Sequence, residues 1–120
     1  MGFYVSNAHR FSIKADLSTF TEKTFESLTI EVEISKKKFL LSCIYRSPSP
    51  LPNTTPIEQI NAFYTTLDTH LSNLNSQSNN AYVFLDANIN LLNLNTNPLV
   101  ITYIETFLNN GYTQLISRAT

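Results

Sequence analysis

SLTIEVEI at residues 27–34 and FLLSCIY at residues 39–45, joined by SKKK, decide the fold class. Leu28, Ile30, Val32 and Ile34 take alternate positions, with Thr29, Glu31 and Glu33 between them. Successive side chains of a strand point to opposite faces. The alternation therefore predicts a strand with one apolar face and one wet face, the latter carrying Thr29, Glu31 and Glu33. FLLSCIY is nearly all apolar, as expected of a strand buried on both faces. The charged residues 35–38 predict the turn of an antiparallel hairpin between the two.

Beyond the hairpin, RSPSPLPN at residues 46–53 holds three prolines and must be a loop. Thr55, Pro56 and Glu58 then form a helix start, as N-cap, first-turn proline and the distal half of a capping box. Ile57, Ile60, Phe63, Leu67, Leu71 and Leu74 follow at three- and four-residue steps, which puts them on one face of a helix of about five turns. AYVFLD at residues 81–86 predicts a buried strand ending at Asp86. Residues 88–97 form a loop interrupted by Ile89, Leu91, Leu92 and Leu94. Asn97 and Pro98 open a second helix with Val100, Ile101, Ile104, Phe107 and Leu108 as its apolar face, and Gly111 closes it. Residues 112–116 predict the start of another strand. Before the hairpin, residues 2–6 and 9–15 predict short strands and residues 16–23 a turn. Strands on both sides of helices imply a layered α/β (α+β) domain, with no internal repeat and no linker.

Charged residues are 14% of the 120-residue chain and the formal net charge is -1. A strongly basic nucleic-acid-binding surface is thereby excluded, since that needs a stripe of Lys and Arg. Lys36, Lys37 and Lys38 are too short a run and predict a solvated turn. Cys43 is the single cysteine, so no internal disulfide forms; in an apolar strand it behaves as a small hydrophobe, which fits a reducing, intracellular setting, nuclear or cytoplasmic. No stretch approaches the ~18 consecutive apolar residues of a membrane span, so no membrane is expected as a partner.

The residues able to carry chemistry lie at strand ends. Asp86 closes a hydrophobic strand and Asn88 stands two residues on, where a carboxylate and an amide could manage a water or a divalent cation. The same D-x-N triplet also suits an ordinary Asx-type turn. Tyr45 ends the preceding strand in the same way. Were the two strands neighbours, Tyr45, Asp86 and Asn88 would meet at one rim, a partial constellation for phosphodiester hydrolysis.

Taken in order, CIYRSP, LDANINLL and NGYTQLISRAT, preceded by FESLTIEVEI and GFYVSN, resemble the middle of the endonuclease/exonuclease/phosphatase superfamily, most closely its non-LTR retrotransposon branch. The resemblance runs through nearly the whole chain. It implies a partial two-sheet β-sandwich flanked by helices, with residues 1–120 as one partial domain lacking the N- and C-terminal motifs. It implies a Mg2+-dependent phosphodiesterase, ancestrally nicking target DNA, with Tyr45, Asp86 and Asn88 as catalytic positions and Asp86 as a metal position. Leu85, Ala87, Asn90 and Ser47 depart from the family pattern, Leu85 standing where the family has glycine. The family's metal-binding glutamate and catalytic histidine have no counterpart: Glu26, Glu31 and Glu33 lie on a solvent face or a strand start, and His9 and His70 are expected at the surface. The chain by itself is therefore expected to be inactive, with weak or no Mg2+ binding. The alternatives are a non-catalytic remnant or interaction fragment, and a superfamily member acting on a lipid or sugar phosphate. Unpaired sheet edges suggest self-association.

Overall fold

A computed structural model describes residues 1–21, 23–89 and 97–115. Its centre is the hairpin. Strand β3 (Phe25–Ile34) pairs antiparallel with β4 (Lys37–Tyr45), from Ile34 opposite Lys37 to Glu26 opposite Tyr45. The connection is the two residues Ser35 and Lys36, both at positive φ (52° and 66°), the geometry of a type I′ turn whose twist matches that of paired strands. Strand β5 (Ala81–Asp86) joins β4 in parallel, with Leu40 opposite Ala81 and Tyr45 opposite Asp86.

The far edge of β3 is covered in two pieces. Strand β1 (Arg10–Ile13) pairs with residues 30–33 and β2 (Thr19–Thr21) with residues 25–27. Between them a single 3-10 turn, Ala15–Leu17, drops Leu17 into the core. The result is one five-stranded mixed sheet in the order β1-β3-β4-β5, with β2 also on β3. The second sheet expected of a sandwich is not among the described residues. Residues 2–6 form no strand, and residues 112–115 form none either.

The long crossover from β4 to β5 is helix α1 (Pro56–Gln77). Its start is as the sequence predicts: Thr55 Oγ1 accepts from the Glu58 amide and Glu58 Oε2 accepts from the Thr55 amide, both at 3.2 Å. Phe63, Leu67, Leu71 and Leu74 are buried against the sheet, with Tyr64, Gln59 and His70 beside them. Ile57, expected on that face, is exposed because it lies in the first turn, ahead of the sheet. Helix α2 (Pro98–Asn109) starts at Asn97, whose side chain accepts from the Leu99 amide, and packs on α1. It ends at Asn110, and Gly111 follows at φ +80°, the left-handed conformation that lets a chain leave a helix.

α1 lies on the face of the sheet that carries Phe25, Ser27 and Thr29 of β3 and Leu40, Ser42 and Ile44 of β4. The expected wet face is thus corrected. Thr29, assigned to solvent by alternation, is fully buried, and the Leu28, Ile30, Val32 and Ile34 face is the one without a helix. β4 and β5 correspondingly alternate between covered and half-exposed residues, and neither is buried on both faces.

Covering a polar face requires that its polar groups find partners. Thr29 Oγ1 lies 2.6 Å from the Leu17 carbonyl oxygen and 2.9 Å from Ser42 Oγ, and Ser42 Oγ lies 2.8 Å from His70 Nε2. A carbonyl only accepts, so the Thr29 proton goes to Leu17. Ser42 then donates to Thr29, and its oxygen accepts from an Nε2–H of His70. His70 is therefore part of the core, which corrects its expected place at the surface. The signal was present in its spacing: three residues after Leu67 and four before Leu74, it sits in the apolar stripe.

Candidate functional site

The strand ends opposite the β3–β4 turn carry Glu26, Tyr45 and Asp86 on three neighbouring strands, Glu26 opposite Tyr45 and Tyr45 opposite Asp86. Cross-strand partners share a face, and this is the face without a helix. Neighbouring strands lie about 4.8 Å apart, so the two carboxylates flank the phenol with Cα atoms roughly 10 Å from each other. Together with Met1, Cys43, Phe84 and others they line an open hollow of about 570 Å³. The Arg46 amide donates to the Asp86 carbonyl at 2.9 Å, which extends the β4–β5 pairing past the hollow and fixes its floor.

No Lys or Arg side chain lines this hollow. Met1 also lines it, and its amino group is near enough to act on the Cys43 thiol, so the two carboxylates and the phenol already share the hollow with one cation. Cys43 is no nucleophile here. Burial raises its thiol above the ordinary range; the N-terminal amino group pulls the other way, and the charge of Asp86 raises it again.

Tyr45 and Asp86 thus lie side by side, but Asn88 is elsewhere. It has φ +53° and its side-chain amide donates to the Arg46 carbonyl at 2.6 Å, tying the loop after β5 to the loop after β4. It lines a different hollow of about 130 Å³ with Ile60 and Tyr64 of α1 and Leu99 and Val100 of α2. Arg46 also turns to the helix side, its guanidinium 5.9 Å from the centre of the Phe63 ring. Asn90 and the apolar Leu91, Leu92 and Leu94 lie outside the described residues.

Glu26 is the residue that the sequence reading passed over as a strand start. Its parity could have found it, because it stands two residues before Leu28 and so on the same face. A second pairing of chemical interest, Ser42 with His70, has the spacing of an activated hydroxyl but not its access. Ser42 is 0% and His70 6% exposed, and the hydrogen bond runs from the ring to the hydroxyl, the reverse of a base receiving a proton.

The fold and these sites define a mixed α/β protein built on a five-stranded sheet, covered by helix on one face and met on the other only by N-terminal residues such as Met1 and Phe3. No protein-family model matches the chain, and neither a curated protein nor a solved structure matches it. Among the described residues, no three His, Cys, Asp or Glu side chains group to hold a metal ion. These findings correct the functional labels drawn from the resemblance. Endonuclease, exonuclease, phosphatase and hydrolase, the retrotransposon and reverse-transcriptase association, magnesium and DNA binding are carried by none of them. The physical reason lies in the rim itself: two carboxylates and a phenol fall short of a cation's ligand set, and Asn88, tied by its N–H to the Arg46 carbonyl, lines the other hollow. No helix among the described residues is long and apolar enough to cross a membrane.

Proposed function

We propose that this chain works by assembly, as an interaction module that docks a second apolar layer onto the face of its sheet that no helix covers. One observation carries the reading. The open face is apolar across every strand, and its large side chains stand in solvent: Phe11 57%, Ile13 64%, Phe20 74% and Phe84 54% exposed. Ile30 and Val32 in its middle are already buried, at 3% and 4% exposed, and Phe3 packs edge-on against Phe84. Several large apolar side chains standing in solvent on one face mark an interaction site on a folded protein, and a second layer ~10 Å above would give the sheet the two-sided cover that layered domains require.

The test is binding of an environment-sensitive apolar dye to the purified chain at submicromolar concentration. Strong enhancement is expected, and Phe11→Lys with Phe84→Lys should remove most of it while leaving the far-ultraviolet circular dichroism unchanged. A chain that is folded and does not bind the dye refutes the reading.

A further inference from the structure

Residues 1–9 belong to no strand or helix, yet the first of them reach the helix-free face of the sheet. Among the described residues no hydrogen bond holds residues 1–5. Their side chains nevertheless alternate as a strand's do: Phe3 and Val5 are half-buried, whereas Gly2 and Tyr4 stand in solvent. Phe3 sets its ring edge-on against Phe84 of β5, with 6.3 Å between centres, and Met1 lines the hollow at the strand ends.

The path of this segment follows from its two ends. It joins β1 at Arg10, which is level with Glu33 and, through it, with Lys38 of β4. It reaches Phe84, which is level with Cys43, five residues further along β4. The two points lie on the outer strands of the order β1-β3-β4-β5. Three strand spacings across and five residues along make a diagonal of roughly 22 Å. Phe3 is seven residues from Arg10, and a tight turn, the His9 amide donating to the Ser6 carbonyl at 3.0 Å, shortens that reach. At ~3.5 Å for each extended residue there is no slack to pass round the rim of the sheet. The straight line crosses β3 between Ile30 and Val32. Those are the two strand residues of this face that are buried, at 3% and 4% exposed, whereas Ile34, off the line, is 42% exposed.

We infer that residues 1–9 are a strap, laid diagonally over the helix-free face as an internal placeholder for the docked layer, and that a partner docks by lifting it. The inference rests on the docking function proposed above. Side chains alone hold residues 1–5, so lifting them breaks no hydrogen bond there and leaves no buried backbone group unpaired. Lifting uncovers Ile30, Val32 and Phe84 together and joins the exposed Phe11 and Ile13 on one side to the hollow on the other. The strap keeps the centre of the face out of water until a larger apolar surface replaces it. Affinity for a partner is reduced by the fraction of molecules in which the strap is closed.

The full chain carrying Phe3→Ser tests this. One aromatic pair is worth about a fivefold change in an equilibrium, so affinity for the apolar dye and the rate of Cys43 alkylation should each rise about fivefold. Far-ultraviolet circular dichroism should not change, because Phe3 lies outside every strand and helix. Tyr4→Ser, on the solvent side of the strap, should alter neither dye binding nor alkylation. If Phe3→Ser leaves dye affinity or alkylation unchanged, the inference is overturned; the docking function still stands where the unaltered chain binds the dye. A Tyr4→Ser variant that behaves like Phe3→Ser also overturns it. If neither the unaltered chain nor Phe3→Ser binds the dye, both readings fall.

Discussion

Acidification should destabilise this protein through one residue, His70. The ring is 6% exposed, its Nε2–H is committed to Ser42 Oγ, and its ring centre lies 5.5 Å from that of Phe25. Burial alone lowers its pKa from 6.5 to about 4. Between those values the unfolded chain binds a proton that the folded chain refuses. Stability is thus fully present above 6.5 and is lost as pH falls toward 4. A gap of about 2.5, at ~1.36 kcal/mol for each pKa unit, amounts to about 3 kcal/mol, of which about 2 is gone by about pH 5. Against a total of ~5–15 kcal/mol for a small domain, that is a large share. Asp16 does not confuse the measurement: its pKa is lowered by a hydrogen bond from Gln77, so its own contribution is lost only below the ordinary carboxylate range. The assay is urea unfolding followed by circular dichroism at several pH values between neutral and about pH 4.5, where the midpoint should fall steadily. His70→Gln keeps a donor for Ser42 without the titration, and should flatten the dependence. Stability that is constant or rises on acidification over this range, or a slope that survives in the variant, would refute the burial argument.

Three further outcomes follow from local geometry. Ser35→Asn with Lys36→Gly should raise stability by about 1–2 kcal/mol, read as a higher thermal midpoint, because both residues sit at positive φ without the side chains that tolerate it. Thr55→Ala should cost about 1 kcal/mol in chemical denaturation by removing the acceptor of the Glu58 amide. Asn88→Ala should cost about 1–2 kcal/mol, combining left-handed strain with loss of the bond to the Arg46 carbonyl, and should leave dye binding to the open face unchanged.

What could be read from the chain alone is what short-range chemistry controls. Thr55, Pro56 and Glu58 mark a helix start because the orphan amides of a first turn need acceptors within three residues. Leu28 to Ile34 mark a strand because its period is two, and AYVFLD gives the bounds of β5 to the residue. Alternation also separates two faces, but it holds no information on which one a helix will cover. That choice was made by the β4–α1–β5 crossover, whose hand is nearly invariant in parallel connections, and by β5 lying on the free edge of β4. The crossover put Thr29, Ser42 and His70 inside, where their mutual hydrogen bonds compensate the burial, and left Phe11, Ile13 and Phe20 on the face without a helix. For the same reason Tyr45 and Asp86 became neighbours only through the register of two strands forty residues apart, and Glu26 joined them from a third, while Asn88, two residues past Asp86 in the chain, turned to the other side of the sheet.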